Sequence, residues 1–339
     1  MAPRVKRASP LLTTPAGVWY APNEMKVLLT GGAGFIGSHA VESYLKAGYE
    51  VVVVDNLSSG KIENLPKAAK FYLLDLCSPQ LDQVFELERP DIVNHHAAQI
   101  SVTVSVANPQ LDARVNALGL LNLLEASVRY RVRKLIFISS GGAIYGDTER
   151  MPTPEDAPTQ PLSPYGIHKL LGEQYLGFFH RQYGLQYTAL RYANVYGPRQ
   201  NPEGEAGVVA IFIDQLLKGK TPTIYTYPQD RDGMTRDYVY VEDVARASLL
   251  ASEKSAGGVF NIATGQPTTT GALYREIARQ LGSSEEPGLG GARPGDLRLS
   301  CLDVRKAAQG LDWRPSVSLQ EGIARTIRFF RNRHDLHES

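Results

Sequence analysis

The chain has 339 residues, and its 36 Lys and Arg against 35 Asp and Glu leave a formal net charge of +1. That balance argues against an electrostatic nucleic-acid binder, and 43% hydrophobic with 21% charged residues describe a globular protein, not a disordered one. No apolar run approaches the roughly 18 to 20 residues that span a bilayer, and two cysteines, Cys77 and Cys301, build neither a disulfide framework nor a cysteine-rich zinc site. The expectation is a protein of a reducing, cytoplasmic compartment, with no nucleic-acid partner, no membrane partner and no metal.

Residues 1–24 carry Arg4, Lys6 and Arg7 followed by Pro10, Pro15 and Pro22, with neither helical nor strand periodicity. They read as a flexible N-terminal extension or an over-long start before Met25; an arginine-rich targeting peptide is the alternative. From Met25 the chain alternates. Met25–Thr30 is a short apolar run ending in Gly31-Gly32-Ala33-Gly34-Phe35-Ile36-Gly37, and a helical pattern then continues to Gly48. Val51–Val54 is β-branched with no polar alternation, which suits a strand buried on both faces. Further runs follow at Phe71–Leu76, Asp91–Asn94 and Lys134–Ser139, the last two separated by a helical stretch, Leu111–Tyr130.

Repeated strand–helix alternation predicts an α/β fold, a doubly wound parallel sheet of the Rossmann kind. Residues 25–191 form that domain, with 237–262 returning to it. The later half reads as less regular: strands at Tyr187–Tyr192 and Val259–Ile262, and loop-rich stretches at Gly197–Gly207, Thr226–Thr235 and Ser283–Gly295. Residues 192–236 and 263–335 are expected to form a smaller C-terminal substrate-binding lobe over the sheet's C-terminal edge.

The glycine turn satisfies G-x-G-x-x-G between a strand and a helix, where small residues let a backbone approach a pyrophosphate at a helix N-terminus. The next strand ends in Asp55, whose carboxylate can accept from adenosine ribose hydroxyls and would repel a 2′-phosphate, so NAD is favoured over NADP. Asp75, at the end of the following strand, reads either as an adenine contact or as a turn residue. His95 and His96 read as packing near the cofactor, not as metal ligands.

Tyr165 and Lys169 stand four apart after Ser163, a good N-cap, and Pro164, a good first helical residue, so both side chains fall on one helix face. A phenol near pKa 10 is a poor base at neutral pH. A neighbouring ammonium group and a positive nicotinamide ring would favour the phenolate and lower that pKa. Ser139-Ser140 end the preceding strand, and a hydroxyl from Ser140 would position the reacting oxygen.

These residues, with Asp55-Asn56-Leu57-Ser58, His95-His96-Ala97-Ala98, Ser139–Gly146, Leu190–Asn194 and Arg293-Pro294-Gly295-Asp296, resemble the extended short-chain dehydrogenase/reductases, the NAD-dependent epimerases and dehydratases. Among these the chain is most similar to the UDP-glucose (UDP-galactose) 4-epimerases, over about residues 25 to 330. The resemblance implies an isomerase of nucleotide-sugar and galactose metabolism. Tyr165 would take the 4-hydroxyl proton while NAD takes the C4 hydride, and the 4-keto sugar would turn and be reduced on its other face. It implies Tyr165, Lys169 and Ser140 as catalytic, with Ser139 as the fallback hydroxyl. The implied cofactor contacts are Gly31, Gly34, Phe35, Ile36, Gly37, Asp55, Asn56, Ser58, Asp75, Leu76, Ala97, Ala98, Gln99, Asn116, Tyr165, Lys169 and Tyr192, although Tyr192 reads equally as a core aromatic. The implied UDP-sugar contacts are Ser140, Tyr165, Asn194, Val208, Thr223, Tyr225, Arg236, Arg293, Asp296 and Ser300. A homodimer through the helices containing Leu111–Tyr130 and Pro164–Tyr183 is implied as well.

Three departures bear on this reading. The family's catalytic Ser/Thr position is Gly141 here, and the dehydratases' Asp-Glu pair would fall at Gly142 and Ala143, which disfavours dehydration. Ser300 stands where a tyrosine accompanies plain hexoses, so UDP-GlcNAc and UDP-GalNAc are candidate substrates beside UDP-glucose and UDP-galactose. The competing readings are a 4-epimerase of UDP-glucuronate or another nucleotide sugar, and a non-enzymatic NAD-binding regulatory or RNA-associated protein on the same fold.

Overall fold

The structure, a computed structural model, describes residues 25–203, 207–254, 257–292 and 297–338. The reading of residues 1–24 therefore falls outside the described residues. Strand β1 (Lys26–Thr30) leads through the glycine turn into helix α1 (Phe35–Lys46), which ends at Gly48 with φ +91°. In β2 (Glu50–Asp55) all of Val51–Val54 are buried, as an unbroken β-branched run between two layers of helix requires. Strand β3 (Lys70–Leu73) is shorter than its apolar run suggested. It is the edge strand, its register with β2 ends at Asp55–Leu73, and Asp75 lies in the turn beyond it, not at a strand end.

Helix α2 (Leu81–Glu88), strand β4 (Ile92–His95) and two short helices, α3 (Val102–Ala107) and α4 (Pro109–Ala113), follow. The single helix expected over Leu111–Tyr130 is α4 widening through a π turn at Arg114–Leu118 into α5 (Gly119–Arg129). Next come β5 (Lys134–Ser140), α6 (Gly141–Ile144) and α7 (Pro164–Tyr183). Ser163 caps α7 by accepting from the Gly166 N–H, and Gly184 closes it in the left-handed conformation.

The second half is more regular than its loop-rich sequence suggested. It contains β6 (Gln186–Tyr192), β7 (Asn194–Tyr196), α8 (Val208–Leu217), β8 (Thr223–Thr226), β9 (Thr235–Tyr240) and α9 (Val241–Glu253). Then follow β10 (Gly258–Ile262), β11 (Pro267–Thr269), α10 (Thr270–Leu281), β12 (Gly288–Gly291), α11 (Arg305–Gly310) and α12 (Leu319–Glu338). Within the expected Ser283–Gly295 loop, Gly-Leu-Gly-Gly is poor strand material by composition. It is extended because it pairs in parallel with β8.

Seven parallel strands lie in the order β10-β6-β5-β4-β1-β2-β3. One face is covered by α1, α9 and Trp313, with Tyr44, Val244 and Leu311 buried against the strands. The other is covered by α2, α5 and α7, through Phe85, Leu120, Leu123 and Phe179. Each such side chain contributes about 1.5–3 kcal/mol by leaving water. A separate apolar cluster joins α8, α10 and α12 through Phe212, Leu273 and Ile323 beside the small sheet β11-β9-β7. Strand order reverses between β1 and β4, and at such a point the connecting loops part and leave a crevice at the strands' C-terminal ends. Among the described residues no helix is long and apolar enough to cross a membrane.

Candidate active site

The crevice is lined by the glycine turn, the ends of β2, β4 and β5, one face of α7, and Tyr192–Val195 after β6. Its floor demands glycine. Gly31 has φ +68°, and a Cβ there would meet the Ala97 nitrogen at 2.5 Å, because the chain leaving β4 crosses over it. At Gly37 a Cβ would lie 2.1 Å from the Gly31 carbonyl oxygen, so α1 begins against the turn only without a side chain there. Gly34, Phe35 and Ile36 complete this wall.

At the end of β2 the Asp55 carboxylate is 7% exposed and faces the crevice. Its Oδ2 accepts from the Ala33 N–H at 3.0 Å, and its Oδ1 from the Leu57 N–H at 2.8 Å. Asn56 Nδ2 donates to Asp75 Oδ2 at 2.9 Å, and the Cys77 N–H donates to Asp75 Oδ1. That backbone hydrogen bond, despite opposing burial, holds the Asp75 carboxyl below its ordinary range. Ser58, Leu76, Ala97 and Ala98 also line the crevice. Gln99 and Asn116 do not. The Gln99 N–H donates to Asn116 Oδ1 at 2.9 Å and Asn116 Nδ2 donates back to the Gln99 carbonyl at 2.9 Å, so this pair braces the rim from behind. Tyr192 turns its ring to the crevice while its hydroxyl bonds Ser248 Oγ at 2.8 Å on α9, so it serves core and crevice together.

Ser140, Tyr165 and Lys169 meet at the inner end. The Ser140 side chain lies beside the Tyr165 hydroxyl and favours its ionised form. Ser139 points elsewhere: its hydroxyl donates to Glu173 Oε1 at 2.6 Å. At Gly141 a Cβ would lie 2.4 Å from Leu302 Cδ1, and the hydroxyl next to Tyr165 comes from position 140.

Lys169 Nζ donates to the Ile138 carbonyl at 2.9 Å and stands 5.8 Å from the Tyr165 ring centroid. For the protein alone the phenol lies above its ordinary value, whereas the lowering expected from the sequence counted a bound nicotinamide ring as well. Burial pushes it up to about 12, the Ser140 hydrogen bond pulls the other way, and the Asp112 carboxylate adds to the rise. Burial brings Lys169 down to about 8, with Asp112 opposing. Spacing placed the pair correctly but carried no information on how deeply the two side chains would be buried.

Residues 27–263 match a family described as the NAD dependent epimerase/dehydratase family. The chain belongs to this epimerase/dehydratase family. It is 45% identical to a UDP-glucose 4-epimerase of Mycolicibacterium smegmatis over 315 residues, which cover 91% of this chain and 99% of that protein. It is similar to the crystal structure of a UDP-glucose 4-epimerase from Thermotoga maritima with UDP-glucose, with TM-score 0.89 and 51% identity, over 91% of this chain and 100% of the other. It is also similar to the UDP-glucose 4-epimerase of Thermus thermophilus in complex with NAD, with TM-score 0.85 and 48% identity, over 91% and 99% of the two chains.

In this epimerase/dehydratase crevice Asn194 is the UDP-sugar candidate that lines the wall together with Ser140 and Tyr165. The other candidates lie outside that lining. Val208 opens α8, and Thr223 and Tyr225 sit on β8 beside β12. Arg236 on β9 donates to the Thr235 carbonyl at 2.9 Å, and the Ser300 N–H bonds that same carbonyl at 3.1 Å. Arg293 and Asp296 lie outside the described residues.

Sequence reasoning read His96 only as packing near the cofactor and gave Gln200, Glu173 and Asp112 no role. His96 lines the crevice with a buried Nε2 that has no partner among the described residues, and so does Gln200 with its Oε1. Burial, aided by the Lys169 charge, lowers His96 to about 3, so its imidazole is neutral. A buried ion pair joins Glu173 on α7 to Arg191 on β6, with Nη2 to Oε2 at 2.6 Å and Nε to Oε1 at 2.9 Å. Asp112 is fully buried and paired with His168. Side chains so far apart in sequence leave no local signal of these contacts. Among the described residues no cluster of His, Cys, Asp and Glu could hold a metal ion.

Proposed function

We propose that this protein is an NAD-dependent 4-epimerase that interconverts UDP-glucose and UDP-galactose. The observation that carries this reading is the Tyr165–Ser140–Lys169 cluster opening onto a crevice shaped for a dinucleotide. The crevice fits NAD on three counts. A Cβ would obstruct the glycine turn at both Gly31 and Gly37, a buried carboxylate stands at the end of β2, and two buried polar atoms, His96 Nε2 and Gln200 Oε1, line the wall with no partner among the described residues. The Asp55 carboxylate would receive the adenosine ribose hydroxyls, and the backbone of Gly31–Gly37 would approach the diphosphate.

When bound, oxidised NAD supplies a hydride acceptor that returns what it takes within one cycle, together with a positively charged ring. The chain's own groups do the rest. Tyr165 Oη takes the proton of the sugar 4-hydroxyl and returns it after the sugar, then a 4-ketone, has turned. Ser140 hydrogen-bonds the same sugar oxygen and fixes its distance from Tyr165. Lys169, tied to Ile138, contributes a fixed charge under the phenol. Asn194, Val208, Thr223, Tyr225, Arg236, Arg293, Asp296 and Ser300 hold the UDP-sugar, with guanidinium groups suited to the diphosphate.

Incubating the purified protein with UDP-galactose tests the reading: UDP-glucose should accumulate to equilibrium. Tyr165→Phe should keep its NAD and lose turnover. Recovery of unchanged UDP-galactose from the wild-type protein sinks the proposal. Parallel incubations with UDP-GalNAc and UDP-glucuronate decide whether the small Ser300 admits an N-acetyl group and whether a uronate is the substrate instead. A homodimer is proposed on Leu111, Leu118, Ile167 and Phe178, large apolar side chains left exposed on α4, the π turn and α7. Sedimentation at micromolar concentration tests it. A cytoplasmic setting agrees with Cys77 and Cys301 standing unpaired.

A further inference from the structure

Asp112, at the entry to the π turn, is a charged side chain with no solvent exposure. Its Oδ1 accepts from Gln99 Nε2 at 2.7 Å and from Asn116 Nδ2 at 3.0 Å. Its Oδ2 is paired with Nδ1 of His168, whose side chain is nearly buried. His168 lies three residues after Tyr165 and immediately before Lys169, so α7 presents all three on neighbouring positions. Burying a carboxylate is costly unless its oxygens are fully engaged, and here three side chains from three segments do that. The fold thus maintains a shielded anion behind the Tyr165–Lys169 pair.

We propose that Asp112, held by Gln99, Asn116 and His168, is a positioning residue for Tyr165 and Lys169, an anion built into the helix junction that sets the pH range over which the pair works. The inference rests on the reading of Tyr165 and Lys169 given above. Asp112 disfavours removal of a proton from both groups, because a nearby negative charge stabilises an ammonium ion and destabilises a phenolate.

The remaining groups around the pair do not substitute for it. At the end of β4, His95 and His96 are both kept neutral by burial and by the Lys169 charge. From β5 it meets the Phe137 ring at 5.2 Å and the Ile138 carbonyl. On its own helix the next carboxylate, Glu173, is committed to Arg191 and Ser139. Tyr165 has Ser140 beside it and lies within the field of Asp112.

The test is Asp112→Asn, which removes the charge and keeps groups able to hydrogen-bond Gln99, Asn116 and His168. With NAD-loaded enzyme the bell of kcat against pH should slide to lower pH by about one unit on both limbs, since both groups then lose protons more readily. The KM should change less than kcat. A second readout is independent of turnover: ultraviolet titration of tyrosinate, corrected by the same titration in a Tyr165→Phe background, should show Tyr165 ionising at lower pH in Asp112→Asn than in the parent. A purely structural role would lower stability and scale the bell without moving it; that outcome overturns the proposal. Should Asp112→Asn be recovered unfolded, Asp112→Asn combined with His168→Leu removes the charge with its buried partner, and the same slide is expected. The control separates two failures. An active Tyr165→Phe enzyme refutes the reacting pair itself, whereas an inactive one beside an unmoved Asp112→Asn bell refutes only this inference.

Discussion

Lys169 Nζ is hydrogen-bonded to the main-chain oxygen of Ile138 at 2.9 Å, so the ammonium group beside Tyr165 is tied to strand β5 and not to the phenol oxygen. This arrangement puts the charge beneath the ring, 5.8 Å from its centroid, where it acts by field. Lys169→Met keeps an unbranched apolar stem in the same space and deletes the charge. Turnover should fall about a hundredfold or more. The thermal midpoint should hold or rise, because a buried ammonium group is replaced by a thioether. Calorimetry beside steady-state rates checks both halves.

The glycine turn makes a separate prediction about the cofactor. Gly37→Ala forces a methyl group to within 2.1 Å of the Gly31 oxygen, a backbone atom that cannot swing aside. The turn must open, and the path of the chain at the diphosphate changes with it. Protein purified from this variant should carry much less NAD than the parent, as read by absorbance of the acid-released nucleotide. The same replacement at Gly291, where a Cβ meets nothing within 4 Å, should leave NAD content unchanged.

Much of the parallel sheet was legible because its strands are buried on both faces, so Val51–Val54 and Lys134–Ser139 appear as unbroken apolar runs. The same logic overextended β3, an edge strand with only one neighbour to hold Leu74–Leu76 in line. Strand β12 was invisible because three of its four residues are glycine, which argues against a strand until β8 is beside it. At the candidate site, local spacing marked the glycine turn, Asp55 and the Tyr165–Lys169 pair. Gln99 and Asn116, expected as cofactor contacts, bond each other outside the crevice lining, and Asp112–His168 and Glu173–Arg191 were missed. Each of these depends on a contact between distant segments that no periodicity encodes.

Ser139 and Ser140, inseparable in sequence, should separate in experiment. The Ser139 hydroxyl serves Glu173, which also holds Arg191, and Arg191 in turn donates to the Tyr145 hydroxyl at 2.7 Å. Ser139→Ala should therefore lower stability by about 1–3 kcal/mol through a hydrogen bond lost to a buried charge, with a modest effect on kcat. Ser140→Ala should do the reverse, lowering kcat about a hundredfold while leaving urea unfolding nearly unchanged. Glu173→Gln breaks the buried pair outright and should cost about 3 kcal/mol or more. Equal kinetic losses from the two serine variants would contradict the geometry.

Acid stability should be set partly at Glu88, far from the crevice. Its side chain is only 3% exposed and meets Lys26 Nζ at 2.9 Å, Lys70 Nζ and the Tyr72 hydroxyl. Burial alone would push the carboxyl up; the hydrogen bonds from Lys70, Tyr72 and Lys26 outweigh it and hold the group at about 2, against an ordinary 4.5. A carboxyl lowered on folding stabilises the native state above its unfolded pKa, and that contribution is lost as pH falls through the folded value. The parent should therefore lose this increment between roughly pH 5 and pH 2. Glu88→Gln lacks it throughout: it should be less stable at pH 7 by about 3 kcal/mol and show a flatter decline on acidification. Urea midpoints taken from pH 7 down to pH 3 decide the matter, and two parallel curves would show that the ion cluster carries none of the acid sensitivity.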